Sequence, residues 1–287
     1  MLHSQPITNL IEHRYSCRTY LDQPIAEETR RRLEAFMSST LTGPFGVPIR
    51  LQLLAATEED RAALRGLGTY GFIHGATGFI VGAVRDGLRH LEDFGYCMEQ
   101  AVLVATDLGL GTCWLGGTFS RSAFAARATL REGEQMPAVT AVGYISDRRR
   151  LMERVIRRGA GSDRRYPWSH LFFRERFGQP VSAEEAGPYA VPLEMVRLAP
   201  SASNKQPWRI VREGSGWHFY LQRTPGYSGG GRALRAPDLQ RADMGIAMCH
   251  WELTVQELGL PGRWVIREPV LAGLQALTEY TATWSLE

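Results

Sequence analysis

Two twenty-residue stretches, GYCMEQAVLVATDLGLGTCW beginning at Gly95 and GIAMCHWELTVQELGLPGRW beginning at Gly245, lie over one another without a gap. The offset is 245 − 95 = 150, and seven of the twenty pairs are identical: Gly, Met, Leu, Leu, Gly, Leu and Trp. Both read as helices. In the first, residues 94, 97, 98, 101, 104, 105 and 108 are apolar, which leaves so little polar face that the helix is expected to be largely buried. Gly109 stands where that helix should stop on a left-handed residue. Upstream, VPIRLQLL (47–54) and QPWRIVRE (206–213) line up as a proline followed by a strand. Two buried helices can resemble each other by chance; the matching approach to each favours two related halves.

The remaining pattern mixes helix and strand. AEETRRRLEAFMSS (26–39) has acidic residues first and apolar ones at helical spacing, which predicts a short amphipathic helix. IRLQLLAA (49–56), GFIVGAV (78–84) and AVTAVGY (138–144) read as strands, as do WRIVRE, WHFYLQ and RWVIRE beyond them. DMGIAMCHWELTVQEL (243–258) is a helix with one apolar face. GQPVSAEEAGPYAVP (178–192) is rich in Gly, Pro, Ala and Glu and reads as a connector. The class is mixed α and β.

Composition removes several functions. The 287 residues are 44% apolar and 22% charged, an ordinary mixture with material for a sizeable core. Thirty-three basic against 30 acidic residues give a formal charge of +3, too balanced for a nucleic-acid protein. Cys17, Cys97, Cys113 and Cys249 form no CxxC pair, which suits a reducing cytoplasm. MLHSQPITNLIEH lacks the basic-then-apolar order of a signal peptide. No run approaches the roughly 18 apolar residues of a membrane span, and the seven histidines show no metal-ligand spacing.

Four short runs remain: RYSCRTYLDQPI (14–25), GLGTCWLGG (109–117), RRYPW (164–168) and LAPSASNKQPW (198–208). Together they resemble the nitroreductase family of FMN-dependent oxidoreductases, whose ordinary members are homodimers with two flavins bound across the interface. In that family an Arg-x-Ser-x-Arg run comes first, then Pro-Ser-x-x-Asn-x-Gln-Pro-Trp, then the Gly-Leu-Gly run and a late basic pair. Here the Pro-Ser-x-x-Asn loop comes last. With the repeat, that order resembles a single-chain branch in which two halves are fused as a pseudo-dimer. The resemblance implies an α+β, nitroreductase-like fold with central helices and mainly antiparallel sheets. It implies a first half over 1–177, a connector over 178–192 and a degenerate second half over 193–287. The first half would supply Arg14, Ser16, Arg18, Trp114, Leu115, Gly116, Gly117, Arg164 and Arg165. The second would supply Pro200, Ser201, Ala202, Ser203, Asn204 and Gln206. The reciprocal site should be dead. STLTGPFGVP (39–48) has no Ser-x-x-Asn, no Arg-x-Ser-x-Arg precedes the second-half loop, and GLGTCWLGG has become GLPGRWVIR. One FMN per chain is expected, with NAD(P)H as co-substrate, a small-molecule electron acceptor and a monomeric, cytoplasmic protein.

The residue types suit that chemistry. Arg14, Ser16 and Arg18, at alternate positions, would share a side over about 13 Å if extended, and arginine offers a permanently charged fork for phosphate oxygens. By the resemblance, Arg14 would hold the phosphate and Arg18 would lie near N1 and O2 of the ring. Taken alone, RYSCR could equally be surface arginines before a helix. GLGTCWLGG is not a dinucleotide fingerprint, because Trp114 stands where a third glycine is needed. The resemblance places Gly116 N–H beside flavin N5; a simple helix stop is the alternative. Asn204 and Gln206 carry the donors and acceptors that a pyrimidine edge needs, although Ala-Pro-Ser-Ala-Ser-Asn could also be an ordinary turn. Trp208 should pack the loop. Within GTYGFIHG (68–75), Thr69, the backbone around Gly71, or His74 could face the pyrimidine. His250 on the second helix reads as hydrogen-bonded structure. A flavin sensor or store without turnover, or a flavin enzyme of different chemistry, stays open beside the oxidoreductase.

Overall fold

The computed structural model describes residues 3–55, 64, 67, 69, 71, 73–117, 119–146, 164–227 and 237–287. The chain divides into two compact units, Met1–Asp163 and Arg164–Glu287.

In the first unit, α1 (Ile7–His13) leads into an extended run and then α2 (Glu27–Met37). Glu27 and Glu28 occupy the first turn of α2, where the N-terminal dipole favours negative charge. Its apolar stripe buries Leu33 and Met37. Strands β1 (Leu41–Thr42) and β2 (Pro48–Ala55) precede β3 (Gly78–Arg85), which is buried along all but its last residue. The long α3 (His90–Asp107) follows, then β4 (Gly111–Leu115), α4 (Arg121–Arg127), β5 (Glu134–Gln135) and β6 (Val139–Gly143). These strands form one antiparallel sheet in the order β1-β2-β3-β6-β4, with β5 pairing β3. Helix α3 lies close on that sheet. A Cβ on Gly82 would meet Phe94 Cε2 at 2.6 Å and Met98 Sδ at 2.9 Å, so only glycine admits the helix. Phe79, Phe119 and Phe124 pack edge to face at 4.9 and 5.4 Å on a core that includes Cys17 and Val139.

The second unit begins with α5 (Trp168–Leu171) and β7 (Phe172–Arg174). Helix α6 (Ala183–Ala186) is opened by a capping box. Ser182 accepts from Glu185 N–H, and the Glu185 carboxylate accepts from Ser182 N–H. A 3-10 turn (Gly187–Tyr189) and α7 (Ala190–Leu198) follow. Strands β8 (Trp208–Glu213) and β9 (Gly216–Gln222), helix α8 (Leu239–Glu257), and strands β10 (Arg263–Val265) and β11 (Thr278–Ser285) complete it. The sheet order is β10-β11-β9-β8-β7, antiparallel except for β7 beside β8. Its core is aromatic: Tyr189, Trp217 and Phe219 all pack on Trp251, and Phe219 continues to Trp264 and Trp284.

Taken one at a time, the units share a path. An antiparallel strand pair precedes the long helix, the next strand takes an edge, and the last inserts beside that pair: β2-β3-β6-β4 in one, β8-β9-β11-β10 in the other. Both long helices end alike. Gly109 (φ 77°) and Gly259 (φ 62°) are left-handed, and each end closes with paired bonds, Leu110 N–H to Ala105 O and Gly109 N–H to Thr106 O, then Leu260 N–H to Val255 O and Gly259 N–H to Gln256 O.

The unit boundary falls at 163, before the expected 177. Residues 178–192, read from composition as a connector, hold α6, the 3-10 turn and the start of α7. Their Gly and Pro cap and start helical turns: Gly187 closes α6, and a proline stands in the first turn of the 3-10 segment. No helix among the described residues is long and apolar enough to cross a membrane.

Candidate functional site

In the first unit the Arg-x-Ser-x-Arg run is extended. Ser16 bridges Thr112 in parallel sense, Cys17 N–H donates to Thr112 O at 2.8 Å, and Thr19 bridges His74. Cys17 and Thr19 are buried, while Ser16 and Arg18 are half-buried. Arg14 differs. It is the C-cap of α1 and is buried, with Nε 3.8 Å from Glu99 Oε1. Glu99 is fully buried on α3, and its other oxygen accepts from Trp114 Nε1 at 2.8 Å. One carboxylate thus ties residues of two separate motifs, Arg14 and Trp114.

In GLGTCWLGG, Gly109 ends α3 as expected and a strand begins two residues later. Gly111–Leu115 form β4, with Cys113 opposite Ala141, and only Gly116 and Gly117 bend away. The reason is packing: Gly111 lies against Cys17, where a Cβ would come within 3.0 Å of the Cys17 Cβ. Leu115 is buried and Trp114 half-buried. The carbonyl of Gly116 accepts from Arg121 Nη2 at 2.8 Å, so the group this residue can offer a ligand is its N–H. His74 donates its N–H to Arg18 O and accepts from Tyr20 N–H, both at 2.9 Å, which puts the 73–75 backbone beside the arginine run. Gly68, Tyr70 and Phe72 lie outside the described residues.

The second unit gathers the other two motifs. Arg165, expected from the first half, falls within the second unit and stands beside the Pro-Ser-x-x-Asn loop. Its Nη1 donates to Asn204 Oδ1 at 3.2 Å and its Nη2 to Leu198 O at 3.1 Å, and Asn204 Nδ2 donates to Arg164 O at 2.9 Å. Gln206, only 3% exposed, is the hub of the loop. Its N–H donates to Ser201 Oγ at 2.8 Å and its Oε1 accepts from Tyr166 N–H at 2.8 Å, while Nε2 reaches Arg164 O and Asn204 O. Its side chain is therefore spent on bracing the loop, whereas the resemblance had it facing a ring edge. Trp208 is fully buried and packs, as expected.

Backbone strain concentrates here. Of seven non-glycine residues with positive φ among those described, three are in this loop: Ser203 (50°), Asn204 (53°) and Gln206 (46°). Each costs on the order of 1–3 kcal/mol and persists only where neighbours over-determine it. Pro200 is buried, Ser201, Ala202 and Asn204 half-buried, and Ser203 exposed. Beneath them Arg209 donates to Gln206 O and Trp208 O, and its Nη2 meets His170 Nε2 at 2.8 Å. Burial lowers the Arg209 guanidinium to about 10, still charged at neutral pH. Burial, with that cation beside it, lowers His170, which can then accept from Arg209 as a neutral ring.

Besides Glu99, two buried aspartates went unremarked in the sequence. Asp93 on α3 accepts from Phe45 N–H at 3.0 Å and Val47 N–H at 2.8 Å, and burial pushes it up to about 6. Asp243 on α8 accepts from Ala202 N–H at 2.9 Å, and burial pushes it well above the usual carboxylate range. Their offset is 243 − 93 = 150, that of the repeat, which is the signal that could have found them.

A family model described as "Putative TM nitroreductase" matches residues 6–255. The chain belongs to this nitroreductase family. A nitroreductase of the same description from Thermotoga maritima has a similar structure, with a TM-score of 0.61 at 21% identity over 99% of this chain and 95% of that one. A nitroreductase family protein from Clostridium difficile aligns with 49% of the chain and 84% of its own length, at 20% identity and a TM-score of 0.38. A structure titled as an oxidoreductase containing FMN covers 61% of the chain and 95% of its own, at 18% identity and a TM-score of 0.48. No curated protein matches the chain. The nitroreductase-like α+β fold inferred from the four motifs is therefore the fold of this chain.

Proposed function

We propose that this nitroreductase-family chain is an FMN-dependent oxidoreductase that takes hydride from NAD(P)H and passes it to a small acceptor such as a nitroaromatic or quinone, with one FMN per chain. The observation that carries the reading is the division of four flavin-type motifs between two units of like topology, with the ring-lining type of loop already strained and braced in the second. The residues fit the group. Ser16 and Arg18 offer a hydroxyl and a guanidinium from half-buried positions on an extended run, suited to an anionic tail and the pyrimidine O2. Gly116 offers an N–H, and the half-buried turn at 201–204 offers hydroxyl, amide and backbone groups.

Bound flavin would supply the two-electron chemistry; the chain's part is to hold and tune it. Arg14, Ser16, Arg18 and Arg165 would provide positive charge and donors, Arg18 favouring negative charge on the reduced ring. Glu99 sets the Trp114 indole through one hydrogen bond and stands in ion-pair contact with Arg14. No side chain is required as acid or base for hydride arrival, so none is assigned that role. The like strand paths of the two units support a duplication, and the fused chain would act as a monomer.

The test is the visible spectrum of purified protein with released flavin counted per chain, followed by anaerobic addition of NADH or NADPH. Yellow protein at one FMN per chain, bleached by nicotinamide, is expected. Yellow protein that never bleaches would favour a flavin store, and colourless protein after reconstitution would end the flavin reading.

A further inference from the structure

The loop at 200–206 holds three left-handed non-glycine residues, and its own side chains brace only part of it: Ser201 Oγ and the Gln206 amide secure the later half. The earlier half is held from outside. Ala202 N–H, which begins the turn containing Ser203 and Asn204, donates to Asp243 Oδ1. Asp243 is 3% exposed, and its other oxygen is buried without a hydrogen-bond partner among the described residues.

That is an expensive arrangement, because a buried carboxyl group with one satisfied oxygen is poorly compensated. The first unit shows what the same position does without such a deficit. Asp93 spends both oxygens on Phe45 and Val47, holding the loop before β2. The carboxyl group at this position of each long helix is thus a loop holder, and it is under-satisfied where the loop is strained.

We propose that Asp243 is the positioning residue of the 200–206 loop, its carboxyl group clamping Ala202 N–H so that the turn at Ser203 and Asn204 is preformed to receive a planar ligand. The identity of that ligand as FMN rests on the function proposed above; the clamp itself does not. Asparagine keeps a carbonyl oxygen for Ala202 and adds no charge. Alanine removes the acceptor and leaves the turn to relax.

Amide exchange by NMR on flavin-stripped full-length protein reads the clamp, and FMN titration followed by flavin fluorescence reads its consequence. Ala202 N–H should be protected in the wild type and in Asp243→Asn, and should exchange about tenfold to hundredfold faster in Asp243→Ala. FMN affinity should fall by a similar factor in Asp243→Ala and stay within about threefold in Asp243→Asn. Asp93→Ala should free the amides of Phe45 and Val47 while leaving FMN affinity within about threefold of wild type. Free exchange of Ala202 in the wild type would overturn the clamp even if Asp243→Ala does not fold. So would an Asp243→Ala protein with Ala202 still protected, or one with the amide released and affinity unchanged. If wild-type protein binds no FMN, the flavin reading fails, and the exchange comparison alone still supports or overturns the clamp.

Discussion

At the residue scale, the chain's buried acids do more positioning than its arginines reveal. Glu99 illustrates this, since one fully buried carboxylate meets both Arg14 and the Trp114 indole. Glu99→Ala takes that acceptor and anion away from a buried guanidinium, and should lower unfolding free energy by about 3 kcal/mol in urea titrations. Asp93 makes a prediction with a definite sign. Burial raises its folded value to about 6 from 3.8, so the folded state holds a proton that the unfolded chain has released. Its contribution is greatest below about 3.8 and is lost as pH rises toward about 6, by about 3 kcal/mol across that window. Denaturation midpoints for wild type and Asp93→Asn, taken at steps from pH 4 to 7, should converge in slope above pH 6. Below it the wild type gains more stability on acidification than Asp93→Asn does. Neither acid was legible from composition or motif. A lone carboxylate on an apolar helix reads as an exposed position until the tertiary fold shows what presses on it.

At the element scale, the long helices and the strands at 48–55, 78–85 and 139–143 follow from period and punctuation, and they stand within a few residues of where the pattern puts them. Gly109 and Gly259 stop their helices in the left-handed region. Substituting either by alanine should cost about 1 kcal/mol, read as a shift in chemical-denaturation midpoint. Gly82→Ala should cost more, about 1–3 kcal/mol, because Phe94 and Met98 already occupy the space of its missing Cβ. Among the elements that escaped the pattern, three show why. Strand β4 is glycine-rich at its start and looks like a loop until it pairs with β6. Helix α7 hides in a Pro- and Gly-containing stretch whose punctuation marks helix starts and stops. Strand β11, TEYTATWS, alternates weakly but gains its place from pairing with both β9 and β10.

At the scale of the whole molecule, the repeat at an offset of 150 led to an expectation of two related halves; the two sheets, each taken by itself, run β2-β3-β6-β4 and β8-β9-β11-β10. The functional expectation at this scale is a stoichiometry. One FMN per chain should be recovered from purified protein, and Arg14→Ala should lower the bound fraction severalfold at limiting flavin, whereas Arg31→Ala, on the exposed face of α2, should not. Equilibrium dialysis with absorbance of released flavin checks it. By itself the sequence determined the class, the family resemblance, the order of the main elements and the residue types of the candidate site, because local periodicity, stop signals and short motifs are properties of neighbours along the chain. Tertiary structure alone decided that Arg165 braces Asn204, that Gln206 is spent on its own loop, that Glu99 joins two distant motifs and that Asp93 and Asp243 hold loops. Each of those joins residues between two and 85 positions apart, the longest being 99 − 14 = 85 for Glu99 with Arg14. Burial, left-handed backbone and the choice of hydrogen-bond partner are set by what the fold brings alongside, and no window of sequence contains that.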